Sequence, residues 1–306
     1  MSAALALEQA LNGVQLGVML FLAAAGLTLI FGVMGLINLA HGALFMTGAY
    51  ACAFLTRETG SFWLGLAGGA LAAAAAGAAV ELLVVRRLYG RDHLDQVLAT
   101  FALALIFSDA ARWIFGPQPL WLDPPAALSG AVPLPGGGAY PAYRLAIIVA
   151  GLAAAAGLHA LIARTRLGMR IRAGESDREM VAALGVNVAL LYTAVFALGA
   201  GLAGFAGAMV GALRSVQADM GEPVLILAFV VIVIGGVGSV KGAFAGAMLV
   251  GVTDTMGRAL LPALFARIWD PATAAGAGAA VASMLIYMLM AAVLVLRPKG
   301  LFPADG

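Results

Sequence analysis

Residues 11–33 read LNGVQLGVMLFLAAAGLTLIFGV and contain no Asp, Glu, Lys or Arg. A helix needs about 20 predominantly apolar residues to cross the hydrocarbon core of a bilayer. A surface helix of a soluble protein would instead keep a polar stripe toward water. The run therefore predicts a transmembrane helix, and comparable runs follow it along the chain.

The composition of the whole chain agrees with this prediction. Of 306 residues, 63% are hydrophobic and 10% are charged, whereas soluble domains carry about 25% charged residues. Because so few polar side chains cannot cover a surface in water, the composition excludes a soluble enzyme. The formal net charge of +2 gives no reason to expect a nucleic acid partner. Cys52 is the only cysteine, which excludes an intrachain disulfide.

Nine segments are transmembrane candidates. They are 11–33, 37–56, 62–85, 97–115, 143–163, 189–213, 224–240, 243–262 and 274–296. A break rather than a full loop separates the first two, and one of 224–240 and 243–262 is expected to be partial or tilted. We predict an all-α, polytopic membrane helical bundle of about 8–10 transmembrane helices. Residues 1–306 are expected to form a single transmembrane domain.

The distribution of basic residues predicts the orientation, because cytoplasmic loops carry an excess of Lys and Arg. Of the 17 lysines and arginines, eleven lie in 86–96, 164–188 and 297–306 and at position 241, on one side of a nine-helix topology. We therefore expect a cytoplasmic C-terminus and an outer N-terminus. The longest outer loop, about 116–142, is too rich in Pro and Gly for a long helix. It is either structured or flexible.

The segment GVMGLINLAHG, residues 32–42, places polar side chains and glycines within apolar sequence. In lipid, irregular backbone persists only where protein buries it or where it lines a wet cavity. Asn38 and His41 would share one face of a continuous helix. They either form hydrogen bonds between helices or border a translocation pathway. With Gly35 and Gly42, they are the candidate substrate-pathway residues.

The segment RTRLGMRIRAGESDREMVAALGVN, residues 164–187, begins basic and then mixes charges. Its part 175–184 predicts a short helix that Gly185 ends. The apolar stripe of this helix comprises Met180, Val181 and Leu184. Such a helix either lies on the membrane surface or docks into a partner protein. The mixed charges favour docking, because a lipid surface is bound best by a uniformly basic face.

A third segment, GGVGSVKG at residues 235–242, combines glycines with a lysine. A phosphate-binding loop requires Gly-Lys followed by Ser or Thr, but Lys241 stands between Val240 and Gly242. We therefore expect no nucleotide here and interpret the segment as a tight turn that packs two spans closely. The turn residues are Gly235, Gly236, Gly238 and Gly242.

The sequence offers no catalytic or metal-binding pattern. The histidines lack a His-Glu-x-x-His neighbourhood and lie far apart, at His41, His93 and His159. Asp109 and Asp254 are carboxylates within predicted spans and could relay protons. Each has an arginine one helical turn away, Arg112 and Arg258, so a local ion pair is the preferred interpretation. We expect neither catalytic residues nor a metal site.

Taken in order, these segments resemble the permease subunit of the branched-chain (hydrophobic) amino acid ABC transporter family. The matching stretches are NLAHG within 35–42, RTRLGMRIRA at 164–173 followed by Asp177 and Gly185, GGVGSVKG at 235–242, and RPKGLF at 297–302. Each stretch is a weak signal alone, but the four occur in the family's order. The similarity extends over essentially the whole chain.

The resemblance implies a permease like those of type II ABC importers, surrounded by lipid in the bacterial cytoplasmic (inner) membrane. Two permease chains, identical or different, would form the pore. Two cytoplasmic ATPase subunits would bind the ATP, a periplasmic protein would deliver the substrate, and this chain would carry no cofactor. Residues 165–186 would contain the helix that couples to the ATPase. The residues carried over to this role are Arg172, Glu175, Asp177, Arg178, Glu179 and Gly185.

The resemblance further implies uptake of branched-chain or other hydrophobic amino acids, or of related solutes such as urea, amides or aromatic acids. The alternative is an ion-coupled secondary transporter. Such a protein would need no ATPase and would contain inverted repeats around broken helices. The break at 32–42 fits this alternative, but the sequence has no convincing second copy of it.

Overall fold

The computed structural model describes residues 3–135 and 137–303, which fold as a helical bundle. The described residues form eleven α-helices: α1 (Ala3–Met34), α2 (His41–Thr59), α3 (Phe62–Leu83), α4 (His93–Phe115), α5 (Ala142–Arg164), α6 (Arg166–Ser176), α7 (Arg178–Ala183), α8 (Val188–Gly211), α9 (Gly221–Gly235), α10 (Val240–Phe265) and α11 (Pro271–Leu296). Short 3-10 turns occupy Val85–Leu88 and Ala126–Leu128. Strands β1 (Ala131–Leu134) and β2 (Gly138–Pro141) pair antiparallel as a hairpin.

Side chains at the helix starts explain many of these boundaries. The first amides of a helix lack partners within it, and a preceding Ser, Thr, Asp or Asn accepts their hydrogen bonds. Such caps are Ser61 before α3, Thr165 before α6, Asp177 before α7, Asn187 before α8, Ser239 before α10 and Asp270 before α11. These starts are therefore specified by local sequence.

Each of the nine predicted spans overlaps one helix, namely α1 to α5 and α8 to α11 in chain order. Within the described residues, seven of these helices are long and apolar enough to cross a membrane. The other two are α2, with 19 residues including Arg57 and Glu58, and α9, with 15 residues. At 1.5 Å per residue, α9 extends about 22 Å, less than the hydrocarbon core of about 30 Å. The prediction of an all-α, polytopic membrane bundle is confirmed.

The segment 116–142, for which the composition left two alternatives, is structured over its described residues. Leu120 and Val216 exchange two backbone hydrogen bonds of 2.9 and 2.8 Å. Tyr140 on β2 is fully buried and donates a hydrogen bond to Asn12 of α1 over 3.0 Å. The β1–β2 hairpin is therefore packed onto the first helix.

The bundle has two ends, which we name by their contents. The hairpin end holds β1, β2 and the start of α1. The tail end holds α6, α7 and the last described residues, 297–303. The central helix α1 runs between these ends and packs against α5, α8, α9 and α10. Residues 17–30 of α1 are all buried, which explains why its sequence is apolar on every side.

Glycines allow the central helices to approach closely. A Cβ atom on Gly26 of α1 would fall on the backbone of Gly199 in α8, and one on Gly48 of α2 would fall on Gly204 in α8. Membrane helices pack by such small-residue contacts, because lipid supplies no hydrophobic drive for association. The outward faces of α4, α5 and α11 instead expose large apolar side chains, among them Trp113, Val149 and Met288.

Candidate functional site

A break over residues 35–40 separates α1 from α2. Gly35 ends α1 with a φ of 66° and donates its amide to Phe31 over 2.7 Å, in the left-handed conformation that glycine adopts without strain. The Asn38 side chain accepts the amide hydrogen two residues on, over 3.0 Å. Because this local bond competes with the helix, α2 begins only at His41. The predicted helix over 37–56 is wrong at its start, and Asn38 and His41 share no helix face.

Asn38 in the break and His41 directly after it both have buried side chains. His41 Nε2 lies 2.9 Å from the carbonyl oxygen of Ala23, which ties the start of α2 to the middle of α1. Asn38 Nδ2 and His41 Nδ1 have no hydrogen-bond partner among the described residues. The Ala23 contact is a bond between helices, one of the two roles considered for His41. The pathway role of these residues stays a prediction.

Gly42 lies where the starts of two helices meet. A Cβ atom on Gly42 would fall on the backbone of Gly221 in α9, and the reverse also holds. A cavity of about 300 Å³ lies beside this contact, between α2, α4 and α9. Of the four candidate pathway residues, Gly42 alone is in its wall. The charged residues of the wall are Asp109, Arg112, Asp219 and Glu222.

Sequence reasoning missed Asp219 and Glu222 as cavity residues. Both residues precede the predicted span 224–240 and so lie outside the candidate spans. In the structure, α9 begins at Gly221, inside the bundle beside Gly42. The signal for a cavity was available in the sequence, because acidic residues stand directly before a short apolar span. Carboxylates within a membrane are energetically costly and usually have a function.

A chain of polar contacts leads from the break toward the tail end. Thr100 of α4 is fully buried, and its hydroxyl accepts a hydrogen bond from the Leu39 amide over 3.2 Å. The same hydroxyl donates to the Gln96 carbonyl over 2.8 Å. The Gln96 side chain donates to the carbonyls of Leu88 and Arg91 over 3.1 and 3.2 Å. Helix α4 therefore links the break to the turn between α3 and α4.

A buried carboxylate fixes that turn. Glu81, near the end of α3, has no exposed surface. It binds Arg86 through two contacts of 3.1 and 3.0 Å and accepts hydrogen bonds from Tyr89 and Thr193 over 2.9 and 2.7 Å. Arg86 also donates to the Ala189 carbonyl in the first turn of α8 over 3.3 Å. The turn is thereby joined to the start of α8, the helix that follows α7.

The predicted coupling segment differs from the single helix expected over 175–184. The Asp177 carboxylate accepts the amide hydrogens of Glu179 and Met180 over 3.0 and 2.9 Å and so caps α7. Because a capping residue takes an extended backbone, here with a φ of −153°, Asp177 interrupts the helix. The single-helix prediction is therefore wrong, and the segment forms α6 and α7. Gly185, with a φ of 83°, follows α7.

The predicted apolar stripe is mostly exposed. Val181 packs into the protein with 5% of its surface exposed, whereas Met180 and Leu184 are 57% and 75% exposed. The neighbouring Arg178 and Glu179 are exposed as well. Because the helix is interrupted at Asp177 and restarts, only one residue of the stripe reaches the bundle. Met180 and Leu184 leave apolar surface on an otherwise charged segment.

Two residues of α6 point back toward the bundle. The Glu175 carboxylate lies beside Gly32 at the end of α1, and partial burial raises its pKa above the ordinary carboxyl value. The Arg172 guanidinium donates to the Ile162 carbonyl of α5. These contacts hold α6 against α1 and α5.

Three of the four sequence stretches that carry the family resemblance meet at one cavity at the tail end. This cavity has a volume of about 680 Å³. Its wall contains Arg172 of the second stretch, Gly238 and Lys241 of the third, and Phe302 of the C-terminal one. Gly32, near the end of α1 and before the first stretch, completes the wall together with Glu175. Residues more than 200 positions apart in the chain therefore form a single surface next to α6.

The glycine-rich turn and the C-terminal segment also bind each other directly. Gly236 and Gly238, between α9 and α10, have φ angles of 110° and 84°. The Phe302 amide donates to the Gly235 carbonyl over 2.8 Å. A Cβ atom on Gly242 would fall on the backbone of Gly235. A Cβ atom on Gly236 would fall on the Phe302 carbonyl, so a side chain at that position would push the C-terminal segment away from the turn.

The two predicted intrahelical ion pairs are confirmed. Asp109 and Arg112 are 3.1 Å apart, and Asp254 and Arg258 are 2.9 Å apart. Over residues 3–135 and 137–303, no group of three or more His, Cys, Asp or Glu side chains is placed to hold a metal ion.

The apolar bundle, its interrupted helices and its polar α6–α7 segment define a multi-pass membrane protein. Residues 9–294 match the sequence model of the family described as the permease component of the branched-chain amino acid transport system. The chain belongs to this family, and it is a transport permease as the resemblance implied.

The chain is also similar to individual relatives. It is 27% identical over 269 residues to the high-affinity branched-chain amino acid transport system permease protein LivH of Salmonella typhimurium, with 83% of this chain and 87% of the relative covered. LivH of Escherichia coli K12 gives the same values. BraD of Pseudomonas aeruginosa, a permease protein of the same description, is 29% identical over 273 residues, with 82% and 86% covered. No solved structure matches the chain.

Proposed function

We propose that this chain forms half of the pore of an ATP-driven importer, in the bacterial cytoplasmic membrane, for branched-chain or other hydrophobic amino acids. The observation that carries the proposal is the meeting of three of the four family stretches, from 164–173, 235–242 and 297–302, around one cavity beside α6. The names of the relatives supply the substrate class. A second permease chain completes the pore, two ATPase subunits bind the ATP, and a periplasmic binding protein delivers the substrate.

The tail end faces the cytoplasm in this proposal. The turn after α3 carries Arg86, Arg87 and Arg91, and the C-terminal segment carries Arg297 and Lys299. The helices place these residues at the same end as the basic opening of α6. Excess Lys and Arg on one side marks the cytoplasmic face of a membrane protein.

The segment α6–α7 contacts the ATPase. Exposed Met180 and Leu184 supply apolar contact area, and exposed Arg178 and Glu179 supply charges that orient a partner. Asp177 acts indirectly, because its carboxylate caps α7 and holds these side chains in place.

The substrate passes the break between α1 and α2. Helices α2 and α9 both begin within the bundle and meet at Gly42 and Gly221. The start of a helix carries a partial positive charge that favours a carboxylate, and interrupted helices of this kind border substrate sites in transporters. Gly35 and Asn38 shape the break, and His41 begins α2.

A pull-down in mild detergent tests the assembly. The tagged chain is purified from its native membrane, and co-purifying proteins are identified by mass spectrometry. We expect an ATPase and a second permease chain, and the cognate binding protein is then screened for amino acid ligands. A chain that purifies alone and transports in liposomes on an ion gradient without ATP would establish the secondary-transporter alternative.

A charge swap tests the ATPase contact. The double variant Arg178→Glu/Glu179→Lys reverses both exposed charges of α7 and leaves the Asp177 cap intact. We expect loss of ATPase co-purification. The matched control is Arg57→Glu/Glu58→Lys, an adjacent exposed Arg–Glu pair at the end of α2. Full ATPase recovery with the α7 variant would contradict the contact.

A further inference from the structure

A charged cavity at the hairpin end is not explained by the four family segments. It has a volume of about 620 Å³ and is lined by residues of α1, α2, α5, α9 and α10 and by the end of α8 with the residues that follow it. None of its lining residues belongs to 32–42, 164–187, 235–242 or 297–302. We call it the arginine chamber. Its volume lies in the range of about 300–1,000 Å³ that is typical of small-molecule sites.

The chamber carries more positive than negative charge. Its charged wall residues are Arg144, Arg214, Asp254 and Arg258. Asp254 pairs with Arg258 over 2.9 Å. Arg144 donates to the neutral side-chain oxygen of Asn12 over 2.6 Å, and the Arg214 guanidinium has no hydrogen-bond or ion-pair partner in the described part of the chain. Two guanidinium groups are therefore not neutralised by the protein.

The rest of the wall is largely apolar. It includes Leu16 and Leu20 of α1, Phe45 of α2 and Leu227 of α9. Phe45 lies three residues beyond Gly42, so the chamber extends toward the point where α2 and α9 begin. Charged groups and apolar surface therefore line the same cavity, which is partly open.

We propose that the arginine chamber binds a small amphipathic carboxylate, of the class of an α-amino acid with an apolar side chain. Arg214 and Arg144 bind the carboxylate, because a guanidinium matches its two oxygens in geometry and charge. The apolar side chain packs against the wall around Phe45, where its burial is favourable. The proposal rests on the proposed function, which places the hairpin end outside, and it makes the chamber an entry site on the permease itself.

Thermal unfolding of the complete permease–ATPase complex, purified in detergent without binding protein, tests the proposal. The probes are L-leucine, 4-methylpentanoate and leucinamide. A ligand that binds the folded state raises the Tm as its concentration rises. We expect both carboxylates to raise the Tm and leucinamide, which lacks the carboxylate, to leave it unchanged.

Variants assign the effect to the chamber. Arg214→Gln weakens the apparent affinity for L-leucine about tenfold or more, since hydrogen bonds to charged groups contribute about 1.5–3 kcal/mol. Arg214→Lys keeps the charge and retains part of the affinity. Arg267→Gln is the control, because Arg267, two residues after α10, is exposed as Arg214 is but does not line the chamber. Equal affinity of wild type and Arg214→Gln, or an equal Tm rise with leucinamide, overturns the proposal.

Two other outcomes are also decisive. If added phosphatidylglycerol alone raises the Tm of the wild type but not of Arg214→Gln, the chamber is a lipid headgroup site and the proposal is wrong. If the ATPase fails to co-purify before any ligand is added, the proposed function itself fails. A complex that assembles and transports but shows no carboxylate effect contradicts the chamber alone.

Discussion

The carboxylate of Glu81 lies 3.0 Å from the guanidinium of Arg86, and the Glu81 side chain is completely buried while that of Arg86 is 38% exposed. Tyr89 and Thr193 complete the coordination of the carboxylate. The network fixes the turn after α3 against the start of α8. Since α8 follows the coupling segment, Glu81 helps to set where α7 is held.

Removal of one charge of this pair should destabilise the fold more than removal of both charges. Arg86→Gln leaves a buried carboxylate without its counter-ion, a strongly destabilising change, whereas Glu81→Gln/Arg86→Gln leaves no buried charge. We expect a lower Tm for Arg86→Gln than for the double variant. Arg87→Gln, one residue along and exposed, is the control. Additive effects in a double-mutant cycle would contradict the coupling.

Thr100→Val should loosen the α1–α2 break. The substitution removes the acceptor of the Leu39 amide and leaves that donor unpaired, at a cost of about 1–3 kcal/mol. Hydrogen exchange of residues 35–41 is expected to accelerate. Thr47→Val is the matched control, because among the described residues the Thr47 hydroxyl bonds only to the Ala43 carbonyl within α2. If hydrogen exchange of residues 35–41 is unchanged in Thr100→Val, the Leu39–Thr100 hydrogen bond does not stabilise the break.

Gly204→Leu should disrupt the core of the bundle. A Cβ atom at position 204 would fall on the Ala73 side chain and would lie 3.4 Å from the Cα atom of Gly48. Overpacking of this kind costs about 1–3 kcal/mol or more, so we expect a lower Tm and aggregation in size-exclusion chromatography. Gly157→Leu in α5 is the comparison, because a Cβ atom there meets nothing within 4 Å. Equal behaviour of the two variants would refute the close packing.

Asp177 should stabilise α7 through its capping oxygen rather than through its charge. Asp177→Ala loses the cap of α7, which costs about 1 kcal/mol, whereas Asp177→Asn keeps a capping side chain. We expect faster hydrogen exchange in residues 178–183 for Asp177→Ala only. ATPase co-purification should follow the same order. A defect of equal size in Asp177→Asn would assign the role to the charge.

The position of Glu175 predicts a pH dependence. Burial raises its pKa in the folded state, so the folded state holds the proton more readily than the unfolded chain. The resulting stabilisation is present at low pH and is lost as pH rises through the raised pKa. Glu175→Gln should therefore raise the Tm of the complex at neutral pH, with a difference that shrinks on acidification. A Tm difference that is constant with pH would exclude the raised pKa of Glu175 as its cause.

The sequence identified the residues of the site better than their arrangement. Gly35 and Gly42 were found because glycines beside polar residues in an apolar run indicate irregular backbone at membrane depth. Glu81 was not found, although a glutamate within the predicted span 62–85 is a signal in itself. Thr100 carried no signal, because a threonine that bonds within its own helix is indistinguishable in sequence from one that also holds a distant amide.

The sequence by itself determined the helices, most of their starts and the membrane environment, because apolar runs and capping residues act on neighbours within a few positions. It also determined the family, through four segments in order. Only the tertiary structure decided that three of these segments meet at one cavity, that α2 and α9 begin side by side at Gly42 and Gly221, and that Arg144 and Arg214 share a chamber. These relations join residues far apart in the chain, and they depend on how closely the helices pack.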